Sequence, residues 1–129
     1  MEGGDGNDRL EGGDGWDTID GGDGNDRIKG QEGRDTIHGD GGNDIIRGGQ
    51  SNDKVYGDAG ADELYGDEGH DTMYGGTGDD WMDGGSHNDL MLGGNGDDTM
   101  YGGSGDDTMF GQNGDNILYG GCCRRSGRT

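Results

Sequence analysis

The chain has 129 residues, room for one domain, with 23% hydrophobic residues, 36 glycines, no proline and a formal charge of −20 at pH 7. Low hydrophobicity with high net charge sets it beside chains that cannot fold on apolar burial alone. The acidity excludes a nucleic-acid binder, which needs clustered Lys and Arg, and no apolar run approaches the ~18 residues of a membrane span.

The N-terminus enters glycine-rich sequence at once, and no signal peptide is visible. From Gly3 the sequence repeats every nine residues, through thirteen units to Tyr119 without insertion or deletion. The first position is glycine in all thirteen, and the fourth in eleven, with Ser51 and His87 the exceptions. The sixth is aspartate in twelve: Asp8, Asp17, Asp26, Asp35, Asp44, Asp53, Asp62, Asp71, Asp80, Asp89, Asp98 and Asp107, with Asn116 in the last unit. The eighth is always aliphatic or Met, from Leu10 and Ile19 through Met82 to Leu118.

Period nine excludes collagen, which needs glycine every third residue, and a flexible linker, which has no reason to fix aspartate at a constant offset. An EF-hand loop needs acidic ligands at alternate positions, and Asp5, Asn7 and Arg9 break that spacing. Frequent glycine disfavours helix. The unit predicts a turn of about six residues followed by a three-residue strand at positions seven to nine, with only the eighth side chain inward. Two units then form one 18-residue coil, and coils stack as parallel strands ~4.8 Å apart. Each sixth-position aspartate falls one rung from the matching aspartate two units on. Calcium–oxygen distances of ~2.4 Å let an ion between rungs touch both carboxylates, with glycine-rich turns supplying backbone carbonyls. Hard oxygen donors suit Ca²⁺, whereas Zn²⁺ prefers Cys and His. Seven odd-numbered units leave six gaps and six even-numbered units leave five, so eleven divalent ions would bring 22 positive charges against −20.

The units GGDGNDRLE, GGDGNDRIK, GGNGDDTMY and GGSGDDTMF resemble the RTX, or haemolysin-type, calcium-binding nonapeptide. The resemblance covers residues 3–119. It implies an all-β, right-handed parallel β-roll (a β-helix solenoid) with two short strands per coil, no helices and calcium held in the turns. It also implies a secreted bacterial setting: modules of toxins, proteases, lipases, alginate epimerases and adhesins, exported unfolded by type I secretion. The family's ligand aspartate carries over to the twelve aspartates above. Asn116 lacks the charge, and Ser51 and His87 are expected to strain their turns, so about eight to eleven ions are expected. The second position is Gln31, Asp40, Asp58, Asp67 or Gln112 in five units, of which Asp better tolerates left-handed backbone.

Outward ninth positions run Asp20, His38, Tyr56, Tyr74, Leu92, Phe110 on the even face, and Glu11, Lys29, Arg47, Tyr65, Asp83, Tyr101, Tyr119 on the odd face, with Trp81 nearby. A face of Tyr56, Tyr74 and Phe110 could bind a glycan or a domain of a parent protein; the plainer reading is that Tyr suits strands and pairs with its neighbour one rung away. His70 and His87 lie one rung apart, but carboxylates dominate and zinc is disfavoured. Thr18, Thr36, Thr72 and Thr108 recur at position seven, interrupted by Lys54 and Leu90, which fits solvated strand threonines better than an ice-binding array. The serines and histidines make no base-oriented nucleophile pair in any repeat phase, so no enzyme is expected.

The repeat domain is placed at residues 3–121. Residues 122–129, CCRRSGRT, shift abruptly to basic and carry the adjacent Cys122 and Cys123, which make no disulfide framework; they are expected to form a disordered tail. With no evident cap at either end, end-to-end self-association is a further expectation.

Overall fold

A single apolar side chain in nine residues cannot cover a helix face, but it can fill a seam one residue wide between two sheets. That is the architecture of the computed structural model, which describes residues 1–121; the predicted tail with Cys122 and Cys123 lies outside the described residues. Fourteen strands alternate between two parallel sheets, with no helix among the described residues. One sheet stacks β1 (Glu2–Asp5), β3 (Thr18–Asp23), β5 (Thr36–Gly41), β7 (Lys54–Ala59), β9 (Thr72–Thr77), β11 (Leu90–Asn95) and β13 (Thr108–Asn113) in that order. The other stacks β2 (Arg9–Asp14), β4 (Arg27–Glu32), β6 (Ile45–Gln50), β8 (Glu63–Glu68), β10 (Trp81–Asp83), β12 (Thr99–Tyr101) and β14 (Ile117–Tyr119).

Register follows the two-unit coil throughout: Ile28 pairs with Leu10 below and Ile46 above, and Tyr56 with His38 and Tyr74. The core is the eighth-position column. Ten of its members, Ile19 to Met100, are buried to 1% exposure or less, with Leu10 and Met109 packed against them. Leu118 in the last rung stays 41% exposed, because no described residue lies above it.

The expected three-residue strand is too short for most units. Eleven of the fourteen strands run longer, ten of them through six residues, from position seven of one unit to position three of the next. The cause is the stacking itself: the peptide groups around the Gly-Gly pair sit over their counterparts one rung away and keep the ladder going, as in Gly22 over Gly4 and Asp23 over Asp5. The second position accommodates this with positive φ, both where it is glycine and at Gln31 (85°), Asp40 (68°), Asp58 (70°), Asp67 (71°) and Gln112 (68°). The fourth position is left-handed too, and Ser51 and His87 both adopt φ 81° there, in a region costly for a side chain with Cβ.

Candidate metal centre

Each sixth-position aspartate ends the turn just before its strand, and its side chain folds into the roll rather than out to solvent. From Asp26 to Asp98 these residues are at most 3% exposed. Their two oxygens have different fates. Oδ1 accepts the backbone N–H of the matching residue one rung below: Asp26 N–H donates to Asp44 at 2.7 Å, Asp44 to Asp62 at 2.8 Å, and Asp53 to Asp71 at 2.7 Å. The ladder runs from Asp8 to Asn116 along one edge and from Asp17 to Asp107 along the other. Oδ2 is buried without any hydrogen-bond partner in all twelve aspartates, Asp8 to Asp107. An unpaired buried acceptor is costly, and a charged one more so.

The first-position glycine is required by this oxygen. A Cβ on Gly21 would lie 2.6 Å from Asp26 Oδ2 and 2.7 Å from the carbonyl oxygen of Gly39; on Gly48 it would lie 2.6 Å from Asp53 Oδ2 and 2.9 Å from Gly66 O. Carboxylate and carbonyl oxygens from neighbouring rungs thus converge beside an atom that only glycine omits. In the fourth position the backbone turns a further carbonyl toward the rung above, as the Gly6 oxygen does toward Gly24. Oxygen acceptors without donors are what a hard cation takes, and calcium accepts six to eight of them from carboxylates and carbonyls. Among the described residues no three His, Cys, Asp or Glu side chains group as a metal cluster, so any site here must draw on backbone carbonyls as well as on one or two carboxylates.

The electrostatics agree with an unmet need for positive charge. Burial pushes the carboxyls of Asp53, Asp62, Asp71 and Asp89 up to about 7, against the opposing pull of the N–H bond to Oδ1. The same cause raises Asp44 and Asp80 to about 6, and raises Asp35, Asp98 and Asp107 as well. Neighbouring aspartates add to the rise. Asn116 keeps the ladder, accepting from Asp98 N–H at 2.9 Å, but its other arm is an amide nitrogen that donates to Gly114 O at 3.4 Å. The one departure from aspartate therefore removes the orphan oxygen and nothing else in the ladder.

A second ladder, at position five, was not anticipated. Asn7 Oδ1 accepts Asn25 N–H, and Asn25 Oδ1 accepts Asn43 N–H, each at 2.8 Å. Recurrent Asn or Asp next to the sixth position, as in Asn7, Asn43, Asp79 and Asp97, was the available signal. These side chains bond to the rung above, the sixth-position ones to the rung below.

The remaining candidates fall outside this column. His38, Tyr56 and Tyr74 stack with centroids 4.3 and 4.9 Å apart and planes within 2°, so the ring faces cover one another; Phe110 is separated from them by Leu92. His70 and His87 meet edge to face at 5.5 Å. One serine does lie beside a histidine, Ser86 Oγ at 3.2 Å from His87 Nδ1, but no group orients the ring as a base. They are adjacent in sequence at a turn where positive φ at His87 brings the side chains together. The hydroxyl is also 3.3 Å from Asp67 O, and His87 packs against His70 rather than a carboxylate that would orient it.

A parallel two-sheet solenoid of about seven coils, with about one orphaned, buried carboxylate oxygen per nonapeptide, defines a class, the parallel β-roll. The family model for the RTX calcium-binding nonapeptide repeat matches residues 1–28, 20–55, 29–64, 39–73, 65–100 and 92–121, and the chain belongs to that family. It is a calcium-binding repeat module. No curated protein matches the chain.

Proposed function

We propose that the chain binds about eight to eleven calcium ions through Asp8, Asp17, Asp26, Asp35, Asp44, Asp53, Asp62, Asp71, Asp80, Asp89, Asp98 and Asp107, together with turn carbonyls, and that this binding drives its folding. The observation that carries the reading is the unpartnered Oδ2 on every one of the twelve. Each ion bound to the folded state alone stabilises it by mass action: ~1.8 kcal/mol per site at ~2 mM calcium, for a dissociation constant of ~0.1 mM. In cytosolic calcium the chain stays unfolded and exportable, and in extracellular calcium it locks. Such a switch suits a secreted bacterial protein carried by type I secretion, of which this is a non-catalytic module. The last gap on the odd edge, between Asp98 and Asn116, binds weakest.

A glycan surface on Tyr56, Tyr74 and Phe110 draws less support, since the stacked Tyr56 and Tyr74 offer edges rather than the open faces on which sugars lie, and Phe110 stands apart beyond Leu92. Equilibrium dialysis against radioactive calcium tests the main reading. Eight to eleven ions per chain are expected at saturation; two or fewer would contradict it.

A further inference from the structure

The outer face of the sheet β2–β14 is divided in two. Every Lys and Arg among residues 1–121 falls between Arg9 and Lys54, and four of the six (Arg9, Arg27, Lys29 and Arg47) stand on the first three rungs of this face. Arg9 lies directly opposite Arg27, and Lys29 opposite Arg47. Glu11 lies opposite Lys29, but the two like-charge pairs weaken the sheet and do not serve folding. Arg9 pairs with Glu11 and Arg47 with Asp67, but among the described residues Arg27 and Lys29 make no ion pair. Between these cations, over Leu10 and Ile28, lies a dent of about 130 Å³.

The upper rungs of the same face carry the complement. Tyr65, Trp81, Tyr101 and Tyr119 form a continuous ladder with centroids 4.7–5.4 Å apart, joined to the cations by Arg47, whose guanidinium lies 4.1 Å over Tyr65. Asp83 stands among them, and Tyr119 is 49% exposed. Apart from Glu11 at the cationic end and Glu63 on the central strand, cations and a dent stand at one end with rings and a carboxylate at the other, which makes the face complementary to itself reversed.

We infer that this face is a dimer interface with a second copy of the chain, related by a twofold axis along β8, the fourth of its seven strands. Turning one copy about that axis lays β4 over β12, β6 over β10 and β2 over β14. Lys29 then lies at the exposed edge and hydroxyl of Tyr101 of the second copy, Arg47 faces Asp83, Ile45 faces Trp81, Glu63 on the axis meets its own copy, and a tyrosine ring reaches the dent. Four six-residue strands of ~20 Å and three three-residue strands of ~10 Å, spaced at ~4.8 Å, cover roughly 500 Å² per copy, the size of a weak interface. The dimer is accordingly weak, with a micromolar dissociation constant and a strong dependence on salt.

Sedimentation velocity on the full chain, in saturating calcium with reductant to exclude Cys122–Cys123 cross-links, tests this. A monomer–dimer equilibrium is expected between about 1 and 300 μM, weakened at least ~10-fold by R27E with K29E and by W81A. D83R should weaken it similarly, and adding R47D should restore it. Circular dichroism on the same samples separates a lost interface from a lost fold, so failure here does not bear on calcium binding. A chain that stays monomeric throughout, or dimerises with equal affinity after these changes, overturns the inference. So does a monomer that instead captures poly-glutamate through Arg27 and Lys29.

Discussion

The backbone N–H of Asp53 donates to Oδ1 of Asp71 at 2.7 Å across one rung, while Oδ2 of the same Asp71 is buried with no partner. One carboxylate thus makes a rung-to-rung bond that needs only a neutral oxygen, and on the proposed reading offers calcium a negative one. Asp71→Asn separates them, since it reproduces what Asn116 does naturally. The variant should lose one to two ions in calcium titration, because each aspartate borders two gaps. In chelator it should be no less stable than the parent, since a buried charge has been removed. Asp71→Ala also loses the N–H bond and should be destabilised by a further ~1 kcal/mol in calcium, read as a shift in denaturation midpoint.

Glycine at the first position is predicted to be irreplaceable, and glycine at the third not. A Cβ on Gly57 would meet Asp62 Oδ2 at 2.5 Å and Gly75 O at 2.6 Å, whereas on Gly41 the nearest atom is Asp23 Oδ1 at 3.4 Å. Gly57→Ala should raise the calcium concentration needed for folding several-fold and cost ~1–3 kcal/mol. Gly41→Ala should be neutral or slightly stabilising. Parallel calcium titrations followed by circular dichroism compare the two.

Ser51 and His87 hold φ 81° where eleven sister units carry glycine. Ser51→Gly and His87→Gly should each relieve ~1 kcal/mol of left-handed strain, less the entropy glycine returns to the unfolded chain. Thermal melts in calcium should show a small rise for each, additive in the double variant because the two lie two rungs apart.

The calcium-free chain should be more folded in acid than at neutrality. Asp53, Asp62, Asp71 and Asp89 stand at about 7 in the fold against an ordinary 3.8. As pH rises from about 3.8, the unfolded state releases these protons first, so stability falls until the folded-state values near 7 are passed. Below about 3.8 the favourable contribution is complete. Calcium reverses the trend, because protons compete with it for Oδ2, and its half-saturating concentration should rise as pH drops below about 7. Chelator-treated and calcium-saturated samples scanned by circular dichroism from pH 4 to 8 should therefore slope in opposite directions.

The sequence carried most of the fold because the repeat is strict. A glycine, an aspartate and an aliphatic at fixed offsets dictated the coil and the Ile19–Met100 seam. That the aspartates also fold inward to near-complete burial was not legible, because the turn's shape and not the strand alternation aims them. Strand length was not legible, since the continuation through Gly22 and Asp23 depends on stacking across rungs rather than on any local propensity. Nor did spacing alone reveal that each carboxylate divides its two oxygens between a hydrogen bond and an empty direction. The Ser86–His87 contact was not legible for a similar reason, since it follows from the backbone conformation at His87 and leaves the expected absence of an oriented base untouched.

Calcium as the missing part of the core is tested most directly by far-UV circular dichroism of the chain purified in chelator at pH 7.5 and then titrated with calcium. A disordered spectrum in chelator, converting cooperatively to β-structure as calcium approaches millimolar and reverting on adding excess chelator, is the predicted result. A chain fully β-structured in excess chelator at that pH, and unchanged by calcium, would contradict it.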